Sequence, residues 1–295
     1  MAPPVRIQVL GGFGVDTEQG HLDAGDLCGN KPRQVLEALV LARGTPVSKE
    51  RVIDLLWAAE APRNVLATLE SYVSVLRRTL QPGTPVRDSL IRTVAGGYAI
   101  DVHRVEVDLY SFDLLADACR RGGVGVDAFA EAIRLGSADL LPGSLGDWVA
   151  TARALHDRRV GELLVRGARA ALVAHEVGRA LEWAGQAVDR DGLDEEAWEV
   201  LLAAQIAAGR PTDGLRAYER CRRALAEELG CSPGPTLRHR HATLLDLAAE
   251  DDGALADAVA AVVRLHDVLT THVPMPRSSL VEARRVIGRL LDATG

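Results

Sequence analysis

The 295-residue sequence lacks the features that mark membrane, secreted and disulfide-stabilised proteins. No apolar run approaches the roughly 20 residues that a membrane-spanning helix needs. The start, Met1-Ala2-Pro3-Pro4, does not have the charged and then apolar order of a secretory signal. The four cysteines include no CxxC pair, which predicts reduced thiols and no disulfide framework. We therefore expect a cytoplasmic protein with no membrane contact.

The signatures of a catalytic or metal site are also missing. Residues 25–31 do not fit the GxxxxGK[ST] spacing of a phosphate-binding loop, since Pro32 follows Lys31. His239 and His241 lie two positions apart, on different faces of a helix, and make a poor metal pair. The sequence contains no GxSxG or HExxH element. We predict that the protein is not an enzyme and uses no cofactor or metal.

Positive charge is scarce overall, since the net charge is −7, and such a balance argues against a strongly basic protein. The deficit is uneven: residues 1–104 carry 12 Lys and Arg against 11 Asp and Glu, whereas residues 105–295 carry 22 against 30. Between residues 63 and 92 there are five arginines and two acids. A local basic surface of this kind suffices for contacts with DNA phosphates, although it predicts modest affinity for a monomer.

Aromatic residues are few, at 4%, whereas hydrophobic residues of all kinds make up 47%. This composition predicts a helix-rich protein in which small residues pack between helices. The length allows two domains, each with its own core.

Residues 64–80 carry the most informative pattern. At helical spacing, one face is apolar and consists of Leu66, Leu69, Val73, Leu76 and Leu80. The opposite face consists of Asn64, Thr68, Ser71, Val75 and Arg78. Short hydrogen-bonding groups with an arginine, on a helix that packs on its other side, suit the DNA major groove. An ordinary amphipathic helix with a polar outer face fits the same pattern.

The flanking segments favour the DNA-binding interpretation. A preceding apolar helix is stopped by the turn at residues 43–46, and Ser48 can cap a second helix. After residue 80, two β-type runs within residues 90–100 enclose Gly96-Gly97, which is a hairpin signal. Residues 5–15 predict a small sheet ahead of the helices. Three helices followed by a hairpin have the order of a winged helix-turn-helix.

The second half shows a weak internal repeat. Residues 181–184 match residues 215–218 at an offset of 34, and we place Gly178 and Gly209 in turns between helices. A period of about 34 residues with small residues at the helix crossings is typical of tetratricopeptide repeats. A helical bundle without repeats is the alternative.

Several short motifs stand in order along both halves of the chain. In the first half they are Lys31-Pro32-Arg33-Gln34, Val47-Ser48-Lys49-Glu50-Arg51, Leu55-Leu56-Trp57, Tyr72-Val73-Ser74, Leu76-Arg77-Arg78 and Gly97-Tyr98. In the second half they include Asp108 with Phe112, Leu140-Leu141-Pro142-Gly143, Leu193-Asp194-Glu195-Glu196-Ala197-Trp198 and Ser232-Pro233-Gly234-Pro235-Thr236-Leu237. Together they resemble the Streptomyces antibiotic regulatory protein (SARP) family of transcriptional regulators.

This resemblance implies an OmpR-type winged helix DNA-binding domain at residues 1–104. A bacterial transcriptional activator domain, tetratricopeptide-like, would occupy residues 105–249. The expected fold is therefore mostly α, with a small β-sheet and a wing hairpin in the first domain. Two positions depart from many family members: Val75 stands in place of Arg and Glu70 in place of Gln. The target DNA sequence therefore does not transfer from a relative.

Residues 250–295 lie outside the resemblance and predict a C-terminal helical extension. Two apolar stripes at helical spacing are joined by the linker at residues 271–276. The extension is expected either to cap the last repeat or to build a subunit contact.

The resemblance implies a transcriptional activator of an antibiotic biosynthetic cluster. It would bind direct repeats in promoter DNA as a homodimer and contact RNA polymerase, in the cytoplasm and on the nucleoid. The predicted contacts to base edges are Asn64, Thr68, Ser71, Tyr72 and Arg78. The predicted contacts to phosphates are Arg33, Arg63, Arg77 and Arg92. The alternative hypothesis is a tetratricopeptide-type interaction scaffold whose winged helix is degenerate. A transcriptional activator gated by a small-molecule ligand is a variant of the first hypothesis.

Overall fold

The computed structural model describes residues 5–57 and 62–250. By their contacts, the residues divide into two compact units that part between Ala170 and Ala171. The predicted domain boundary between residues 104 and 105 lies inside the first unit and stays a prediction. The predicted extension lies outside the described residues, apart from Glu250. In the described ranges, no helix combines the length and the apolar character that crossing a membrane requires.

The described residues form seven strands and ten α-helices, with one short 3-10 helix at Val86–Asp88. The strands are β1 (Val5–Gln8), β2 (Gly14–Thr17), β3 (Gly20–Asp23), β4 (Val47–Ser48), β5 (Ile91–Val94), β6 (Gly97–Ile100) and β7 (Val105–Val107). The helices are α1 (Asn30–Leu41), α2 (Lys49–Trp57), α3 (Val65–Leu80), α4 (Asp108–Arg121), α5 (Val126–Gly136), α6 (Asp147–Val173), α7 (Val177–Arg190), α8 (Glu195–Ala207), α9 (Pro211–Leu229) and α10 (235–250).

Three helices and two small sheets build the winged helix. One sheet has the order β3-β2-β1-β7, with β7 parallel to β1, and the other has the order β4-β6-β5. Helices α1, α2 and α3 share one apolar core, to which α3 contributes Leu69, Val73, Leu76 and Leu80. The predicted mostly helical fold, with a winged helix-turn-helix and a wing hairpin, is confirmed.

The predicted apolar stripe of α3 needs one correction, at Leu66. Its side chain is 50% exposed, whereas the other four members of the stripe are buried. Leu66 lies about 50° around the helix from the centre of the buried stripe, so the core does not cover it. The stripe that holds α3 in place therefore begins at Leu69.

The wing hairpin lies against the start of α2. Strands β5 and β6 pair antiparallel across the turn at Ala95-Gly96, and β6 also pairs with β4. A Cβ atom at Gly97 would lie 2.0 Å from the carbonyl oxygen of Val47. Only glycine allows this approach, and it fixes the wing beside α2.

The first sheet is tied to the segments that follow β7. The Asp108 carboxylate accepts hydrogen bonds from the backbone N–H groups of Val9 (3.0 Å) and Leu10 (2.9 Å). The backbone N–H of Leu141 donates to the carbonyl of Val9 at 2.7 Å. The Tyr110 hydroxyl donates to the carbonyl of Val40 on α1 at 2.8 Å. The winged helix therefore shares backbone and side-chain bonds with α4 and with the loop after α5.

The second unit contains the repeat. Helices α7 and α9 begin 34 residues apart, at Val177 and Pro211. At the same offset their buried positions correspond: Ala180 with Gly214, Trp183 with Ala217, Ala184 with Tyr218 and Ala187 with Cys221. Gly209 has a φ of 64° in the turn after α8, as predicted. Gly178, in contrast, lies in the first turn of α7 and not between helices, because the helix begins earlier than the glycine suggests.

Candidate nucleic-acid interface

The outward face of α3 is set by the residues that point inward. Because Leu69, Val73, Leu76 and Leu80 are buried, the opposite line of the helix faces solvent. That line consists of Asn64, Ala67, Ser71, Ser74 and Arg78, all of them exposed. Ala67 and Ser74 were not among the predicted contacts. Both residues lie opposite the centre of the buried stripe, so a face centred on that position would include them.

The predicted base-edge residues fall into two groups. Asn64, Ser71 and Arg78 lie on the outward line, and the Asn64 side chain makes no capping hydrogen bond to α3. Thr68 is half-buried, and its hydroxyl donates to the carbonyl of Asn64 at 3.0 Å. The ring of Tyr72 stacks on Trp57, with centroids 6.0 Å apart and planes at 17°. Thr68 and Tyr72 therefore flank the outward line.

An ion pair joins α2, α3 and the wing. Lys49 Nζ lies 2.6 Å from Glu70 Oε1, and this contact raises the pKa of Lys49. The backbone N–H of Lys49 donates to the carbonyl of Gly96 in the wing turn at 3.0 Å. The pair holds the Glu70 side chain on the wing side of α3. Glu70 thus contributes to the position of the helix and adds no long side chain to the outward line.

Arg77 bonds to the wing. Its Nε and Nη2 atoms donate to the carbonyl of Ile91 at 2.9 and 2.8 Å, and Nη2 also donates to the Thr93 hydroxyl at 2.8 Å. Partial burial lowers the pKa of Arg77. The role of Arg77 as a phosphate contact stays a prediction, and its observed bonds favour a role in anchoring the wing to α3.

Replacing Arg77 with alanine is expected to lower the free energy of unfolding by about 1–2 kcal/mol, because hydrogen bonds from a charged donor are lost. Urea unfolding followed by circular dichroism measures this loss. Arg87→Ala is the matched control, since Arg87 is exposed and contacts the carboxylate of its neighbour Asp88. Equal stability of the two variants would contradict the anchoring role.

Arg33 lies in the interior of the first unit. Its Nε lies 3.0 Å from Oε1 of Glu37, a fully buried carboxylate, and its Nη2 donates to the Ser144 hydroxyl at 3.2 Å. Ser144 in turn donates to Glu37 at 2.7 Å. Burial raises the pKa of Glu37 despite the nearby Arg33. Contact of Arg33 with phosphate stays a prediction, and these partners favour a structural role.

Arg63 and Arg92 are both exposed, and their contact with phosphates stays a prediction. Arg63 is exposed and directly precedes the start of α3. Arg92 is exposed on β5, and its Nε lies 4.0 Å from the Asp101 carboxylate, at the outer limit of an ion pair. Solvent-exposed guanidinium groups at the start of a groove-binding helix and on a wing can reach the DNA backbone. Both guanidinium groups are therefore exposed to solvent, one ahead of α3 and the other on the wing.

Comparison with known proteins gives two family matches. Residues 27–100 match the family "Transcriptional regulatory protein, C terminal", and residues 107–245 match "Bacterial transcriptional activator domain". Together these two matches cover the winged helix from α1 to β6 and the helices from α4 into α10.

Individual relatives of the chain are also regulatory proteins. The Regulatory protein DnrI of Streptomyces peucetius is 31% identical over 249 residues, covering 79% of this chain and 90% of the relative. The Transcriptional regulator RedD of Streptomyces coelicolor is 29% identical, covering 82% and 70%. A solved structure, "Mycobacterium tuberculosis EmbR in complex with low affinity phosphopeptide", superimposes with a TM-score of 0.66 at 25% identity, covering 89% of this chain and 72% of that chain.

Proposed function

Because the chain belongs to the SARP family of transcriptional activators, we propose that it activates a secondary-metabolite gene cluster. In this proposal it binds direct repeats in the promoters as a homodimer and recruits RNA polymerase. The observation that carries this proposal is the outward line of α3, which is exposed from Asn64 to Arg78 and is polar except at Ala67. The wing lies beside it, fixed by Arg77 and by Lys49.

The proposed DNA contacts follow from this geometry. Helix α3 has 16 residues and is about 24 Å long, and the major groove is wide enough to admit it. Asn64, Ser71 and Arg78 contact base edges, with Thr68 and Tyr72 at the flank. Arg63 and Arg92 contact phosphates, and so hold the helix in register on the duplex.

The proposed dimer and polymerase contact belong to the helical part of the chain. Direct repeats place two subunits head to tail, so that different surfaces of the two subunits meet. Residues 105–295 carry the excess of acids, and this charge opposes nonspecific association with DNA. We place the DNA-binding domain at residues 1–104 and the activator domain at residues 105–249, in a cytoplasmic protein that acts on the nucleoid.

The direct test is a mobility shift with footprinting on promoter fragments, in the presence of excess nonspecific DNA. We expect two protected half-sites on one face of the duplex, about one helical turn apart. Salt-sensitive binding with no preferred site would show affinity for the DNA backbone alone, and no binding by the folded protein would favour the scaffold role. Protection of an inverted repeat would contradict the head-to-tail arrangement.

Arginine substitutions separate base contacts from phosphate contacts. Arg78→Ala and Arg92→Ala are both expected to weaken binding, and Arg78→Ala alone is expected to relax the preference for one sequence. Arg92→Ala should lower the salt slope of the affinity by about 1, because one phosphate contact is lost. Arg121→Ala, at the exposed end of α4, is the control and should leave affinity unchanged. Unchanged affinity in both test variants would contradict this placement of the interface.

A further inference from the structure

The outward face of α3 is unusual in the size of its side chains. Between Asn64 and Arg78 its exposed line carries only Ala67, Ser71 and Ser74. Val75 is half-exposed at the edge of the same line. A helix with short side chains on its outward face can approach the floor of the major groove closely.

The longer side chains in this span are held elsewhere by contacts within the first unit. Glu70 pairs with Lys49, Tyr72 stacks on Trp57, and Arg77 bonds to the wing carbonyl of Ile91. Among α3 residues on or beside the outward line, this leaves Arg78 as the long cationic donor and Val75 as the branched apolar group.

These two groups correspond to two different base edges. The thymine C5-methyl is the apolar group exposed in the major groove, and guanine presents O6 and N7 to a guanidinium. Residues 75 and 78 are three apart, which corresponds to about 4.5 Å along the helix axis. Successive base pairs of B-DNA are about 3.4 Å apart. Groups at these two positions therefore contact base pairs that are adjacent or separated by one pair.

We propose that Val75 and Arg78 are the specificity-determining residues of α3. In each half-site Val75 packs on the methyl group of a thymine, and Arg78 binds the major-groove edge of a guanine no more than two base pairs away. This inference rests on the proposed function, since it assumes that α3 lies in the major groove. It goes further by stating which bases are recognised and by which chemical groups.

The test changes single functional groups of the DNA and single side chains of the protein. The preferred site is first selected from randomised duplexes with the full-length chain. Each thymine of a half-site is then replaced by deoxyuridine, which lacks only the methyl group. Each guanine is replaced by 7-deazaguanine, which lacks the N7 acceptor. Affinities are measured for the wild type, Val75→Ala and Arg78→Ala, with Val102→Ala as a control at an exposed valine outside α3.

At one thymine, removal of the methyl group is expected to lower the affinity of the wild type for the DNA about fourfold. This factor corresponds to the roughly 0.8 kcal/mol of one buried methyl-sized group. Val75→Ala should abolish this loss, whereas Val102→Ala should retain it. At one guanine within two base pairs of that thymine, replacement by 7-deazaguanine should lower the affinity of the wild type about tenfold. The same replacement should leave the affinity of Arg78→Ala unchanged.

The outcomes separate this inference from the proposed function. Selection of a site with no methyl-sensitive thymine, or with equal sensitivity in Val75→Ala and the wild type, overturns the assignment of Val75 while leaving the proposed function intact. A purely structural role of Val75 would weaken binding to thymine and deoxyuridine sites equally, and this also overturns it. Failure to enrich any site overturns both. Thermal unfolding of each variant shows that the compared proteins are folded.

Discussion

Replacing Glu37 with alanine is expected to lower the free energy of unfolding by about 3 kcal/mol. Glu37 is fully buried on α1 and lies against Arg33 and the Ser144 hydroxyl. Without the carboxylate, a guanidinium that is only 15% exposed loses its partner. Removing one partner of a buried ion pair is strongly destabilising, and the partial exposure of Arg33 places the effect at the lower end of the range.

The variant Glu37→Gln is the matched control, since it keeps the size of the side chain and an acceptor for Ser144. Burial raises the pKa of Glu37 above its ordinary value of 4.5, so the folded state holds this proton more tightly than the unfolded state. The stabilisation from that proton is complete below pH 4.5 and is lost as the pH rises through the folded pKa. The free energy of unfolding of the wild type, minus that of Glu37→Gln, should therefore fall as the pH rises. Urea unfolding between pH 4 and 7 measures it, and a rising difference would contradict the assignment.

Introducing a side chain at Gly97 is expected to destabilise the wing and to weaken DNA binding. The Cβ of Gly97→Ala would lie 2.0 Å from the carbonyl oxygen of Val47 and 2.8 Å from the Cα of Ser48. Because both are backbone atoms, β4 must separate from β6. We expect a loss of about 2–3 kcal/mol in the free energy of unfolding and at least tenfold weaker binding to the preferred DNA site, since the wing no longer lies beside α2.

Gly96→Ala serves as the comparison for Gly97→Ala. Gly96 has a φ of 77° and no atom within 4 Å of an added Cβ, so its substitution costs only the backbone strain of about 1 kcal/mol. Thermal unfolding and mobility shifts on the same DNA measure both variants. If Gly96→Ala is the more damaging of the two, the close approach at Gly97 is not what holds the wing.

The elements of the winged helix could be predicted from the sequence because their signals are local. The 3.6-residue period of residues 69–80 and the glycine pair in the hairpin each depend on neighbours a few positions away. The 34-residue offset likewise located the repeat, since the buried positions of α7 recur in α9. The outward line of α3 was predicted in part, at Asn64, Ser71 and Arg78.

The partners of the arginines could not be predicted in this way. Arg33 was expected at a phosphate because of its charge, yet its partner Ser144 lies 111 positions away. Arg77 likewise bonds to a backbone carbonyl of the wing, and no side-chain pattern marks such an acceptor. Leu66 lies at the edge of the periodic stripe, and periodicity does not show how far the neighbouring elements cover that edge. The long-range contacts of a charged residue decide whether it is structural or available to DNA.

The bonds of Asp108 and Leu141 to the first strand have a consequence for protein engineering. A chimera joined at residue 104 would take its winged helix from one relative. Asp108 and the loop at residues 137–146, which bond to the first strand and the residues after it, would come from another. Each graft would then have to rebuild the backbone bonds to Val9 and Leu10 across a foreign junction. Target specificity is better exchanged by transplanting the outward side chains of α3 together with Val75.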